Sequence, residues 1–194
     1  MDLTELVAAT RSFRRFDETR KISMGDLLHL IGLARLTASA ANRQPLRYYL
    51  VNDPAANAGI FKTLAWAAYL PDWPGPAEGE RPTAYIVLCI DTDITGEWWC
   101  DDGIAAQTIM LGATGLGLGG CMIGAIKHDL LRELLEIPAN LKIRLVLALG
   151  KPAEEVRIEP VGPDGSIKYW RDAHGVHHVP KRSLEELIVG RVGK

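Results

Sequence analysis

The stretch "TAYIVLCID", Thr83 to Asp91, constrains the fold more than any other. It is apolar and β-branched with no polar alternation, and it has the length of a buried strand. Such a strand needs cover on both faces. A second run of this kind is "KIRLVLALG", Lys142 to Gly150. Segments with helical spacing lie between the strand candidates. The pattern predicts an α+β chain, an α/β mixed sheet flanked by helices, as a single domain over residues 1–194. With 47% hydrophobic and 24% charged residues, the chain has the composition to bury a core.

The other elements follow from local chemistry. Residues 2–9 form a short helix with Leu3, Leu6 and Val7 on one face. Ser23 caps a helix through Leu36, because its hydroxyl accepts from a free first-turn amide. A strand is predicted over 46–52, and Pro54 opens a helix reaching Ala68. "YLPDWPGPAEGERP" is a long loop over 69–82. Asp101 and Asp102 begin an Ala-rich helix that runs to Gly115, where the dipole favours their charge. "GGCMIGAI" reads as strand or turn, "KHDLLRELLEI" as an amphipathic helix, "EEVRIEPV" as an arm. Residues 162–180 make a small β excursion, and a helix with Ser183 near its start closes the chain.

Several chemistries are disfavoured. "GLGLGG", Gly115 to Gly120, has the letters of a dinucleotide fingerprint but follows a helix rather than a strand. It reads as a helix end running into a strand. His174, His177 and His178 lack partner ligands at metal spacing, and in the β turn expected there His177 and His178 point to opposite faces. No G-x-S-x-G occurs. The consecutive pairs Glu154/Glu155 and Glu185/Glu186 read as solvated faces. Cys89, Cys100 and Cys121 form no C-x-x-C and read as small apolar residues in a reducing compartment.

Two basic clusters and one loop point elsewhere. "RSFRRF" places Arg11, Arg14 and Arg15 around Ser12, and "PKR" supplies Lys181 and Arg182. Guanidinium groups beside a hydroxyl suit a phosphate monoester. "SAANRQP", Ser39 to Pro45, crowds amides and a hydroxyl between a helix and a strand, as if to hold something flat and polar. A phosphate tail joined to a flat ring with hydrogen-bonding edges describes flavin mononucleotide (FMN).

These segments resemble the FMN-dependent nitroreductase family. Its R-S-x-R-x-F start matches Arg11 to Phe16, and its P-S-A-x-N-x-Q-P-W segment matches Ala38 to Leu46. Its Ala-rich helix ending in G-L-G matches "DDGIAAQTIMLGATGLG", and its basic closing segment matches "VPKRSLEELI". Ala38, Ala41 and Leu46 depart from the family's usual proline, glycine and tryptophan, and residues 66–99 match little.

The resemblance implies a nitroreductase-like fold in an intertwined homodimer with FMN at the interface. It implies that Arg11, Ser12 and Arg14 meet the phosphate and ribityl chain, and that Lys181 and Arg182 close on the phosphate. Ser39, Ala40, Asn42 and Gln44 line the flavin, and the backbone at Ile123 and Gly124 approaches its ring. NADH or NADPH is the implied electron donor, with a small-molecule acceptor such as a nitroaromatic or quinone in a ping-pong cycle. No catalytic side chain is needed. A flavin carrier or sensor without turnover is the alternative. The net charge of −2 argues against nucleic acid as a partner. No apolar run reaches the roughly 18 residues of a membrane span, and no secretory signal is seen, so a cytoplasmic protein is expected.

Overall fold

Two capping boxes open the chain. The computed structural model describes residues 1–97 and 99–193. Asp2 accepts from the Glu5 amide at the start of α1 (Leu3–Ala9), and Ser23 accepts from the Asp26 amide at the start of α2 (Met24–Ala34). Each box satisfies donors that a helix start leaves free.

The two apolar runs become the middle of the sheet. They form β3 (Ala84–Asp91) and β5 (Leu141–Pro152), paired antiparallel. β2 (Leu46–Val51) pairs with β3, while β4 (Gly119–Ile123) and the two-residue β1 (Phe16–Asp17) pair with β5, all antiparallel. Side chains of β3 and β5 alternate between two cores. Ile86, Leu88, Leu147 and Leu149 face α2 and α4 (Asp101–Gly115), against Leu27, Leu30, Ala106 and Ile109. Tyr85, Val87, Val146 and Ala148 face Ile60 of α3 (Pro54–Phe61) and Leu131 of α5 (His128–Leu134). This two-sided cover is what an all-apolar strand requires. Burial pushes the Cys89 thiol up to about 11, and also raises that of Cys121.

The "GLGLGG" segment turns α4 into β4. Gly117 takes φ +71, and the Gly117 and Leu118 amides donate to the Thr114 and Ala113 carbonyls. Gly120 permits a close approach, since a Cβ there would lie 2.4 Å from the Ala148 carbonyl oxygen. Its own carbonyl accepts from the Phe13 amide at 2.9 Å, and Ser12 bridges to it. The glycines therefore dock the arginine segment alongside β4.

Of the helices that are shorter than the sequence predicts, two fall furthest short. α3 stops at Phe61, not Ala68, because residues 63–65 bond to the strand-like segment after β4: Lys127 donates to Thr63 and Ala65 donates to Ala125. The closing helix α6 spans only Leu184–Leu187, behind a Ser183 capping box. Leu184 and Leu187 are exposed, and a helix this short gains little without packing.

After β5 the chain builds a small second sheet, ordered β6 (Val156–Pro160), β8 (His177–Lys181), β7 (Trp170–Arg171). His177 is fully buried, and His178 faces the other way. Nδ1 of His178 lies 2.8 Å from Glu159 and Nε2 3.1 Å from Asp172, and the ring stacks on Trp170. The hydrogen bonds to Glu159 and then to Asp172 raise its pKa above the ordinary 6.5. That contribution is complete below the unfolded pKa and is lost as pH rises through the folded one. Amides of β7 and β8 are therefore expected to lose hydrogen-exchange protection, corrected for intrinsic rates, as the pH rises above the ordinary histidine value of 6.5. His178→Gln should flatten that trend, and a trend unchanged by the substitution would count against the pairing. Among the described residues, no helix is long and apolar enough to cross a membrane.

Candidate functional site

A cavity of about 360 Å³ opens where the arginine segment, α4, β4 and the small sheet meet. Arg11, Ser12 and Arg14 come from the segment docked on Gly120, Gln107 from α4, and Lys181 from the end of β8. Among the described residues, no aspartate or glutamate lines it. A pocket with three cations and no carboxylate favours an anion.

The arginines are held in place by their neighbours. Arg11 Nη2 donates to the Val7 carbonyl at 2.7 Å, while its buried Nε has no partner among the described residues. Burial lowers the pKa of that guanidinium. Arg14 lies over the Tyr169 ring, 4.9 Å from its centroid, and its Nη1 is 3.2 Å from His177 Nε2. The Arg14 and Arg15 amides both donate to Glu154, which also accepts from Arg171 Nη2 at 2.9 Å. Glu154 is not a solvated residue: its side chain is 1% exposed. Its neighbour Glu155 is exposed and pairs with Arg157.

Arg15 and Arg182 fall outside this group. Arg15 pairs with Glu80 in the long loop. Arg182 does not line the cavity, and its Nη1 lies 3.3 Å from Glu186 in an exposed pair one helical turn apart. Of the closing basic pair, Lys181 alone reaches the cavity wall.

The polar loop borders a different cavity, of about 250 Å³, lined by Ser39, Gln44, Arg35, Tyr48 and Asp101. Burial first, then the nearby Asp101 charge, pushes the Tyr48 phenol up to about 12. The loop is a single 3₁₀ turn, Ala40–Asn42, with φ of +50 at Ala41, +53 at Asn42 and +51 at Gln44. Non-glycine residues resist that conformation by about 1 kcal/mol each, so something must hold them. Asp101 does: it accepts from Ser39 Oγ at 2.6 Å and from the Ala40 amide at 3.0 Å. Ser39 Oγ in turn accepts from the Gln44 amide at 2.9 Å. Asp101 thus anchors the loop from the first residue of α4, a role beyond the helix dipole.

Gln44 Nε2 donates to Asn42 Oδ1 at 3.1 Å. Asn42 and Gln44 are both exposed, so Asn42 Nδ2 and Gln44 Oε1 face solvent as a donor and an acceptor. Ile123 is buried at the end of β4, and Gly124 is exposed just beyond it. Trp98, within the poorly matching stretch 66–99, lies outside the described residues. Among the described residues no group of three or more His, Cys, Asp or Glu is placed to hold a metal ion.

The sequence reading missed Glu154, His177 and Tyr169. Their local patterns are those of a surface pair, a histidine cluster and a β turn, and only the docking of the small sheet brings them to Arg14.

Comparison with known proteins agrees with this architecture. A protein of Archaeoglobus fulgidus described as an NADH dehydrogenase/NAD(P)H nitroreductase is 29% identical over 159 residues, 78% of this chain and 86% of its own length. The NADPH-flavin oxidoreductase of Vibrio harveyi is 26% identical, over 80% of this chain and 68% of its own. The solved structure of an FMN-dependent nitroreductase from Clostridium difficile superposes with a TM-score of 0.64 at 21% identity, covering 79% of this chain and 89% of that one. The sequence model of the Nitroreductase family matches residues 7–81 and 83–151, which carry the arginine segment, the polar loop and all of the main sheet but Pro152. The protein belongs to the nitroreductase family.

Proposed function

We infer that the protein is an FMN-dependent oxidoreductase that uses NADH or NADPH to reduce small oxidised acceptors, nitroaromatics and quinones among them. The carboxylate-free cavity with Arg11, Arg14 and Lys181 on its wall carries this reading. The donor set suits a phosphate monoester, and the unpartnered Nε of Arg11 is one donor awaiting an acceptor. The relatives described as an NAD(P)H nitroreductase and an NADPH-flavin oxidoreductase support the same chemistry.

Arg11, Ser12, Arg14 and Lys181 would hold the phosphate end. Ser39 and Ala40, fixed by Asp101, would present the loop backbone to the ring. Asn42 Nδ2 and Gln44 Oε1 would offer one donor and one acceptor to its polar edge, and the backbone at Ile123 and Gly124 would border the reactive face. When bound, FMN supplies two-electron hydride chemistry, taken from a nicotinamide and then given to an acceptor in a ping-pong cycle. No side chain has to act as acid or base. Positive charge around the site would favour an anionic reduced state.

A second copy of the chain completes the reading. In one chain the basic cavity and the polar loop border separate cavities. Leu3 and Val7 of α1, Leu28 of α2, and Leu184, Leu187 and Val189 near the C-terminus are exposed apolar groups that a partner would cover. Two copies sharing two sites would unite the parts.

The test is an absorbance spectrum of protein supplied with FMN, followed by anaerobic NADH or NADPH, with sizing of the same sample. Bound flavin that bleaches, in a dimer, is the expected result. Bound flavin that neither nicotinamide reduces would point to a carrier, and protein that takes up no FMN would overturn the reading.

A further inference from the structure

We propose that His177 is a positioning residue for anion binding, fixing the Arg14 guanidinium at the cavity by accepting a hydrogen bond from it. This rests on the reading that the cavity takes the FMN phosphate.

The direction of the bond follows from chemistry. Arg14 Nη1 and His177 Nε2 are 3.2 Å apart, and a guanidinium has donors only. Nε2 must therefore accept, which requires a neutral imidazole with its proton on Nδ1, a buried atom that has no partner among the described residues. The surroundings enforce that state. His177 is fully buried, and burial, then the charges of Arg14, Arg171 and His178, lower its pKa to about 4. The strand backbone is fixed by the His177 amide, which donates to the Glu155 carbonyl at 2.9 Å, and the imidazole packs 5.1 Å from Tyr169, whose ring also lies under Arg14 and beside Tyr69.

Arg14 is thus held on one side by an acceptor and on another by an aromatic face. Its remaining donors are oriented before any ligand arrives, and such preorganisation lowers the ordering cost of binding. The acceptor sits on β8, the strand that ends in Lys181. Docking of the small sheet therefore delivers one cation to the cavity and aims another.

The experiment is a titration with FMN and with riboflavin, read by flavin fluorescence, on the wild type, His177→Phe and His177→Gln, with thermal melts of each. Phenylalanine keeps the ring volume without the acceptor; glutamine places an amide oxygen near the position of Nε2. FMN affinity should fall about tenfold in His177→Phe and return largely in His177→Gln, with riboflavin unaffected. In an Arg14→Ala background, His177→Phe should have no further effect, because the histidine acts through the arginine. If His177→Phe does not fold, His177→Asn, whose shorter amide falls short of Arg14, takes its place with the same expectation. Wild-type FMN affinity in the variant, or equal losses for FMN and riboflavin, overturns the inference while leaving the cofactor assignment intact. A wild type that binds no FMN removes both.

Discussion

Glu154→Leu is expected to lower the free energy of unfolding by about 3–5 kcal/mol, the range found when one partner of a buried ion pair is removed. The carboxylate is 1% exposed and accepts from two backbone amides and one guanidinium. Leucine fills the volume and satisfies none of them. The Arg14 and Arg15 amides and Arg171 Nη2 would stay in place without partners, at a further desolvation cost for each. Arg171 has little room to escape, since its side chain is 16% exposed and stacks 4.6 Å from the Trp73 ring centroid. Urea denaturation measures the loss, with a fall in Tm of about 10 °C expected for a domain of this size. Glu155→Leu is the control: its pair with Arg157 is exposed, so the change should stay within about 0.5 kcal/mol. Equal effects at the two positions would show that Glu154 is not the anchor described above.

Arg11→Ala combined with Lys181→Ala is expected to weaken FMN binding by about 10²- to 10⁴-fold, taking about 1.5–3 kcal/mol for each charge-assisted hydrogen bond lost. Both residues line the cavity, and the Val7 carbonyl fixes the Arg11 guanidinium in advance. Riboflavin, which lacks the phosphate, should lose far less. Arg182→Ala should change FMN affinity by no more than about twofold, because its bond to Glu186 is an exposed pair worth little. Fluorescence titration of the three proteins separates the assignments. A loss in Arg182→Ala as large as in the double variant would place the phosphate elsewhere.

The fold was legible where one physical signal dominated. The apolar run of β3 declared a strand covered on both faces, Ser23 declared a cap, and glycines after an Ala-rich helix declared a turn into β4. Legibility failed where distant residues decided the outcome. α3 ends at Phe61 in i→i+3 turns, with the Thr63 hydroxyl on the Ile60 carbonyl, and the distant bonds of residues 63–65 to 125–127 then carry the chain away from the helix. In the proposed site, "RSFRRF" and "PKR" were read together as a phosphate clamp, and the fold brings Arg11, Arg14 and Lys181 of them to one cavity. Arg15 and Arg182 are diverted to Glu80 and Glu186, choices visible only once the chain has closed. Glu154 looked like one half of a solvated pair because burial of a single carboxylate leaves no periodic trace. The crowding of the 39–45 loop was read as service to a ligand. Much of it is internal, with Asp101 and Ser39 holding three left-handed residues in place.

The layout of β5 sets the timetable of folding during synthesis. β3 joins β2 on one edge, but its other edge and the whole of β4 wait for β5, as does β1 at the start of the chain. Between the appearance of Asp91 and that of Leu141 the ribosome adds about 50 residues, which takes several seconds at about 5–20 residues per second. Through that interval the most apolar strand of the protein has one open edge and incomplete cover. A nascent chain arrested before residue 141 therefore keeps that edge open, and the main sheet can close only when β5 is available.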